Sequence, residues 1–356
     1  MLRIGICGCG GISHIHAECL AVMKEEGLAE LVAGAEVHAG RRSAWHEKWR
    51  VPVYESLRQM LAERGMDAVI VTSPSGLHAE HVIEAARAGV HVLCEKPLDV
   101  RLDRADAAIG AVQAAGVMLG GVFQQRFSPG PQKAKRAVDA GAFGRIVSVH
   151  CETPWYRNQL YYDQDAWRGT WALDGGVLGN QAPHMIDRMM WLGGEIEQVL
   201  HAELRPSLER SIEGETVAAV IVRLASGAIG TITATTLAYP GLPQRVVVCG
   251  TDGSCAFSGD DLTFFSTREP FEATDSVAGS NAVTEAGSGV ANPLSIGAGA
   301  FGQHPRFRRS GARWSRTEGD LSRRSPLYPR AEPDLPAGWH HRVPVMSLTH
   351  SRGSAG

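Results

Sequence analysis

A strand that empties into a glycine-rich turn and then a helix leaves this chain few folds. Residues 2–7, LRIGIC, form a short apolar strand; Gly8, Cys9, Gly10, Gly11, Ile12 and Ser13 follow, and a helical stretch runs on through Met23. Glycines there let backbone N–H groups approach a pyrophosphate, and the positive end of the helix favours its charge. The third small position is Ser13, which packing of the helix on the strand tolerates. Alone, such a pattern is weak. It gains weight from residues 31–35, a second strand ending in Glu36, a carboxylate placed to hold a ribose diol. The separation exceeds the usual value of about 20 residues, so the first helix and its loop must be extended. Glu36 favours NAD over NADP, because a carboxylate repels a 2′-phosphate; Arg41 and Arg42 keep the opposite choice open. The plainer reading of Glu36 is a surface charge.

Strand and helix keep alternating. Ser56 to Gln59 read as a capping box, and residues 67–71 as a buried strand. That strand opens into Thr72, Ser73, Pro74, Ser75, Gly76, Leu77 and His78, a loop placed to cover the nicotinamide ribose, and a helix continues to Ala88. Val90, Val92 and Leu93 mark the next strand, which meets Glu95, Lys96 and Pro97 with nothing soft between. Ligands of open α/β sheets bind at the carboxyl edge, so Glu95 and Lys96 become candidates. Taken alone, the three residues are as well read as a solvated pair in a loop. A helix over 102–115 and a strand over 117–123 close a Rossmann-type domain spanning residues 1–124.

From Arg126 the texture changes. Gly130 and Pro131 begin a helix that Gly141 or Gly144 ends, and strands follow over 145–153, 197–204, 216–224, 228–237 and 245–248. Ser226-Gly227 and Asp252-Gly253 are hairpin turns, so this α/β domain, residues 125–300, carries a mainly antiparallel open sheet, interrupted by a helix around 180–192. An open sheet face needs a partner, and a homodimer or homotetramer through it is expected. Beyond Phe301 there are arginines without lysine, recurrent prolines and no periodicity; this stretch, 301–356, reads as an irregular or disordered tail, of frame-shifted or divergent origin.

A net charge of -3 excludes a general basic field, so neither nucleic acid nor an anionic membrane is an expected partner. The amino terminus enters a strand directly, without the succession of a signal peptide, and seven cysteines in no framework fit a reducing, cytoplasmic compartment. Cys7, Cys9, His14 and His16 match no zinc spacing; packing is the better reading, and no metal is expected.

The GCGGIS turn, the EKP tripeptide, QQRFSP at 124–129 and above all YYDQDAWRGTWALDGGVLGNQAPHMID at 161–187 resemble the glucose-fructose oxidoreductase, inositol dehydrogenase and MocA family, over roughly residues 1–270. The resemblance implies NAD(P)-dependent hydride transfer at a carbinol of a sugar or cyclitol. It also implies a cis Lys96–Pro97 peptide and a catalytic pair of Lys96 and His184. Bottom-up chemistry agrees: such a reaction needs a base for the hydroxyl proton, which His184 supplies, and a charge for the developing alkoxide, which Lys96 supplies, or the roles exchange. The expectation is that both meet over one nicotinamide face. Asn180, four residues before His184, would share its helical face and bind substrate, or else cap the helix. Tyr162 and Trp171 offer ring surfaces to a sugar, and Arg168 a cation; each is as readily structural. His184 itself has the alternative of a core histidine. Many relatives carry aspartate at Asn180, so the carboxylate–histidine dyad is absent, which points away from the inositol dehydrogenase type. The glycine run before Val177 is one residue short of the common form, and the family's closing helix is missing. Two alternatives stand beside the dehydrogenase: an NAD-dependent glycosidase of the same family, and a non-enzymatic dinucleotide-binding regulator.

Overall fold

A computed structural model describes residues 1–206 and 209–271, so the expectation for 301–356 lies outside the described residues. The chain divides into two compact units.

The first unit comprises Met1–Val122 together with Ala172–Asp174. Six strands, β1 (Leu2–Cys7), β2 (Ala29–Ala35), β3 (Val53–Tyr54), β4 (Ala68–Val71), β5 (His91–Cys94) and β6 (Leu119–Gly121), lie in the order β3-β2-β1-β4-β5-β6. All pairs are parallel. This is the doubly wound order, whose direction reverses between β1 and β4 and leaves a crevice at their carboxyl ends. A sheet covered on both faces needs strands apolar throughout, and all four residues of β4 are buried. The intervening helices are α1 (Gly11–Glu25), α2 (Ala39–Trp49), α3 (Leu57–Glu63), α4 (His78–Arg87) and α5 (Leu102–Ala115). On α4, Ala79, Val82, Ala85 and Ala86 recur at helical spacing and are buried. Ser56 caps α3 by accepting the Gln59 N–H at 3.2 Å, and Gly116 ends α5 at φ +65°. β6 is shorter than the expected run, since Gly120 and Gly121 bring little to a strand.

The second unit covers Phe123–Trp171 and continues from Gly175. Its seven strands are β7 (Ile146–Pro154), β8 (Ile196–Pro206), β9 (Glu215–Leu224), β10 (Ile229–Thr235), β11 (Arg245–Gly250), β12 (Gly253–Ser258) and β13 (Asp261–Thr267), ordered β13-β12-β11-β7-β10-β9-β8. The sheet is antiparallel except for β7 and β10, which run parallel. Both expected hairpins form; Gly227, at φ +83°, makes the first turn. Helices α6 (Pro129–Asp139), the short α7 (Gln159–Asp163) and α8 (Pro183–Gly193) complete the unit. Met185, Ile186, Met189 and Leu192 of α8 pack with Ala134 and Ala137 of α6 against Val149, Val222, Val246 and Val248. A buried polar layer ties the 124–127 turn to α8: Arg126 pairs with Asp187, and Arg188 donates to Gln125 Oε1 at 3.2 Å and to Asp260 Oδ1 at 2.5 Å. Burial raises the Asp187 pKa, with Arg126 opposing.

Candidate active site

In the first unit the glycine turn is shaped by what cannot fit. Gly8 sits at φ +96°, and a Cβ there would stand 2.5 Å from the Ser73 nitrogen, so only glycine serves. At Gly10 and Gly11 an added Cβ would meet nothing within 4 Å. Gly10 is the N-cap of α1, so this open space faces the helix end that holds anions. Ser13 is fully buried; its hydroxyl donates to Gly10 O at 2.6 Å and accepts from Trp45 Nε1 at 3.1 Å, which explains a serine at the third small position. Ile12 stays 39% exposed at the lip.

Glu36 is no surface charge. It is 7% exposed, with Oε2 taking the Cys9 N–H at 3.0 Å and Oε1 the His38 N–H at 2.9 Å. Arg41 lies 3.5 Å from Oε1, while Arg42 turns to Glu55 at 2.8 Å and to the Glu36 and Val37 carbonyls. Open space at Gly10 and Gly11 and a carboxylate fixed beside the turn fit a dinucleotide with a free ribose diol.

Lys96 follows β5 at the carboxyl edge, half-buried, and the Lys96–Pro97 peptide is cis, as the resemblance implied. Two neighbours take a different place from the one expected. His78 is 1% exposed, and its ring nitrogens lie 2.6 Å from Pro97 O and 2.7 Å from Ser73 O. It therefore fastens two stretches of backbone instead of fronting a ligand. Burial lowers its pKa and the two carbonyls oppose the shift. Glu95 is likewise occupied, pairing with His16 Nε2 at 2.9 Å and accepting the Lys96 N–H at 3.2 Å. Ser73 holds His81 through its hydroxyl at 2.9 Å. Gly76 N–H donates to Leu173 O at 3.1 Å, which brings residues 172–174 to this unit. His16 was set aside with the cysteines as packing; only the distant partner Glu95 gives it a role, and no local pattern announces that.

In the second unit, Gly176 at φ +78° packs so closely on Glu215 that a Cβ there would overlap its carboxylate. Glu215 Oε1 takes the Leu178 N–H at 3.0 Å. This seats a wide π-helical turn, Val177–Gln181, closed by Ala182 N–H to Val177 O at 2.9 Å. Asn180 lies in that turn and not in α8, which starts at Pro183; its cap is Ala182, without a side-chain bond. Proline has no N–H to extend a regular ladder backward, which accounts for the later start. His184 stands in the first turn of α8, with Phe123 edge-on to its ring at 6.0 Å between centroids.

Tyr162 does not offer its ring. It is 7% exposed and its hydroxyl donates to Thr236 Oγ1 at 3.2 Å, so it belongs to the core. Arg168 stacks within 4.5 Å of the Tyr161 ring and 4.9 Å of Trp167, with Asp165 at 3.9 Å, a structural setting. Trp171 is half-buried, its backbone held by Glu213 at 2.9 Å. The residue missed is Gln181: 5% exposed, it bonds Asn180, Tyr161 and Arg157 together. A glutamine beside a candidate asparagine carries no signal of its own.

Known proteins extend this picture. Residues 2–122 match the oxidoreductase family model with an NAD-binding Rossmann fold, and residues 132–256 the GFO/IDH/MocA C-terminal domain. The chain is 32% identical to myo-inositol 2-dehydrogenase of Thermotoga maritima, over 71% of this chain and 74% of that one. It is 31% identical to the NAD(+)-dependent scyllo-inositol 2-dehydrogenase of Bacillus subtilis, over 71% and 72%. The WlbA dehydrogenase of Bordetella pertussis, solved with NADH and UDP-GlcNAcA, superposes with a TM-score of 0.73 at 35% identity, covering 76% of this chain and 83% of that one. A Rossmann unit that matches the NAD-binding family model, followed by a second unit that matches the family's C-terminal domain, makes this chain an NAD(P)-dependent oxidoreductase of the Gfo/Idh/MocA family.

Proposed function

We propose that the protein oxidises or reduces a CH–OH group of a sugar, cyclitol or sugar derivative, with Lys96 and His184 handling the proton. The observation that carries the reading is the first unit's edge: on one parallel sheet the glycine turn and Glu36 follow β1 and β2, and Lys96 follows β5. A bound nicotinamide supplies the acceptor of a hydride in oxidation, or its donor in reduction. His184 Nε2 or Nδ1 takes the hydroxyl proton, and the Lys96 ammonium steadies charge growing on the substrate oxygen; in reduction these steps reverse. Glu95 and His78 keep the Lys96 turn in place, and Asn180 orients the substrate. The inositol dehydrogenase relatives support a polyol substrate. Glu36 supports NAD over NADP, since Arg42 is committed to Glu55. Seven free cysteines support a reducing compartment, the cytoplasm. Among the described residues no helix is long and apolar enough to cross a membrane.

Reduced cofactor followed against a panel of sugars, inositols and sugar acids tests the reading. The expected outcome is NAD+ reduction with at least one member and at least tenfold poorer use of NADP+. Sugar release without any change in reduced cofactor would favour a glycosidase; tight NAD binding with no turnover of any member would favour a regulator.

We also propose that the second unit's open sheet face joins two copies of the chain. Ile221 (41% exposed), Ile229 (41%) and Phe264 (54%) lie on strands of that sheet, with Thr231 opposite Ile221, Arg223 opposite Ile229 and Ala256 opposite Phe264, and such exposed apolar side chains support association.

A further inference from the structure

We infer that His16 is a positioning residue for the reaction proposed above: its bond to Glu95 ties the helix that receives the dinucleotide to the turn that presents Lys96. The inference rests on the role of Lys96 in that reading and adds a residue to it.

His16 lies on α1, about 9 Å along the axis from the N-cap Gly10 at the glycine turn. Its Nε2 is 2.9 Å from Glu95 Oε1, and the two side chains are only 12% and 11% exposed. A carboxylate oxygen only accepts, so Nε2 carries the proton and donates. The other oxygen, Oε2, accepts the Lys96 N–H at 3.2 Å. One carboxylate is thus clamped between a side chain of α1 and the backbone nitrogen at which Lys96 begins.

Other bonds fasten the same turn to β4 and α4. Glu95 N–H donates to Val71 O at 2.9 Å, and His78, the first residue of α4, pairs with Pro97 O at 2.6 Å. The His16 bond reaches α1 instead. The amino end of α1 is where a pyrophosphate meets the glycine turn, so this bond sets how far the Lys96 amine stands from a dinucleotide held there. Misplacing a catalytic group by about 1 Å can cost about 100-fold in rate. Binding of the dinucleotide uses the turn and Glu36, to which the His16 side chain makes no hydrogen bond among the described residues. Loss of the His16 bond therefore lowers kcat and spares cofactor affinity. Glutamine can set an amide N–H where Nε2 stands; asparagine stops one methylene short, and leucine has the bulk without a donor.

The test compares His16→Gln, His16→Asn and His16→Leu, each also combined with Lys96→Ala, on the best substrate of the wild type. Single-turnover nicotinamide absorbance keeps slow variants measurable. His16→Leu and His16→Asn should lose about 10- to 100-fold in the hydride-transfer rate with NADH affinity within about threefold of wild type, and His16→Gln should return to within about fivefold. In the Lys96→Ala background, the leucine and asparagine substitutions should cost less than about twofold, because a residue that acts by placing the amine has nothing left to place. The asparagine series decides the matter alone if the leucine variant does not fold. Unchanged rates in His16→Leu and His16→Asn, glutamine no better than asparagine, NADH affinity falling in step with the rate, or the full loss repeated without Lys96 each overturns the inference while the dehydrogenase reading stands. Turnover of Lys96→Ala within about tenfold of wild type, or no turnover of any carbinol with NAD+ or NADP+, overturns both.

Discussion

Glu36 closes β2 with both carboxylate oxygens on backbone N–H groups, so the charge beside the glycine turn is held by the turn it faces. Glu36→Gln keeps the shape and one acceptor and removes the charge. Loss of one charged hydrogen bond, about 1.4 kcal/mol or more, should weaken NADH binding about tenfold and NADPH binding much less, as read by fluorescence titration. His78 carries a different lesson. His78→Leu would take from the buried Ser73 and Pro97 carbonyls the one N–H that a neutral imidazole gives, a loss of about 1–3 kcal/mol, with kcat falling more than KM rises as the Lys96 turn loosens. Calorimetric melting and steady-state kinetics check both parts; an unchanged melting temperature contradicts the bridging role. The place of Glu36, just past β2 and beside the glycine turn, was legible in the sequence because the apolar run of the second strand ends on it. His78 was not, because a histidine after a Gly-Leu turn reads alike whether it faces a cleft or a carbonyl. Tyr162 misled for the same reason, since an aromatic in a substrate segment does not declare its burial.

Among the elements, α4 depends on a buried acid beyond the cis peptide. Asp99, 1% exposed, accepts the Ala79 N–H at 3.4 Å and the Arg101 N–H at 2.9 Å, and burial raises its pKa from 3.8 to about 6. A carboxyl that holds its proton more tightly folded than unfolded stabilises the protein below the unfolded value. That contribution is lost as pH climbs through the folded one. The wild type should lose roughly 1 kcal/mol relative to Asp99→Asn between pH 4 and pH 6, seen as a wild-type urea midpoint that falls against that of the variant as pH rises. A difference that does not change over that range contradicts it. The parallel strands were legible from uninterrupted apolar runs and the hairpins from Ser226-Gly227 and Asp252-Gly253. Two-residue β3 was not, since its pairing with Gly34 and Ala35 supplies what its own sequence lacks. The start of α8 was misplaced by three residues because the spacing of Asn180 and His184 suits a helix, yet Pro183 and the Glu215 bond to Leu178 open a π-helical turn first.

For the molecule as a whole, the seven-stranded sheet has α6 and α8 on one face, and the other carries the row Ile221, Thr231, His150, Val247, Ala256 and Phe264 across six strands. Sedimentation at micromolar concentration should find a dimer or tetramer, and Ile221→Asp with Phe264→Asp should dissociate it without lowering NADH affinity; a monodisperse wild-type monomer contradicts the interface. The central claim concerns the amine after β5 and the imidazole that opens α8, Lys96 and His184, acting in one redox reaction. It is tested most directly by measuring NADH affinity and turnover together in Lys96→Ala and His184→Ala, on the best substrate of the wild type. Both variants should bind NADH within about threefold of the wild type and lose at least 100-fold in kcat, the range expected for removing a general acid or base. Turnover within tenfold of wild type in either variant would contradict it.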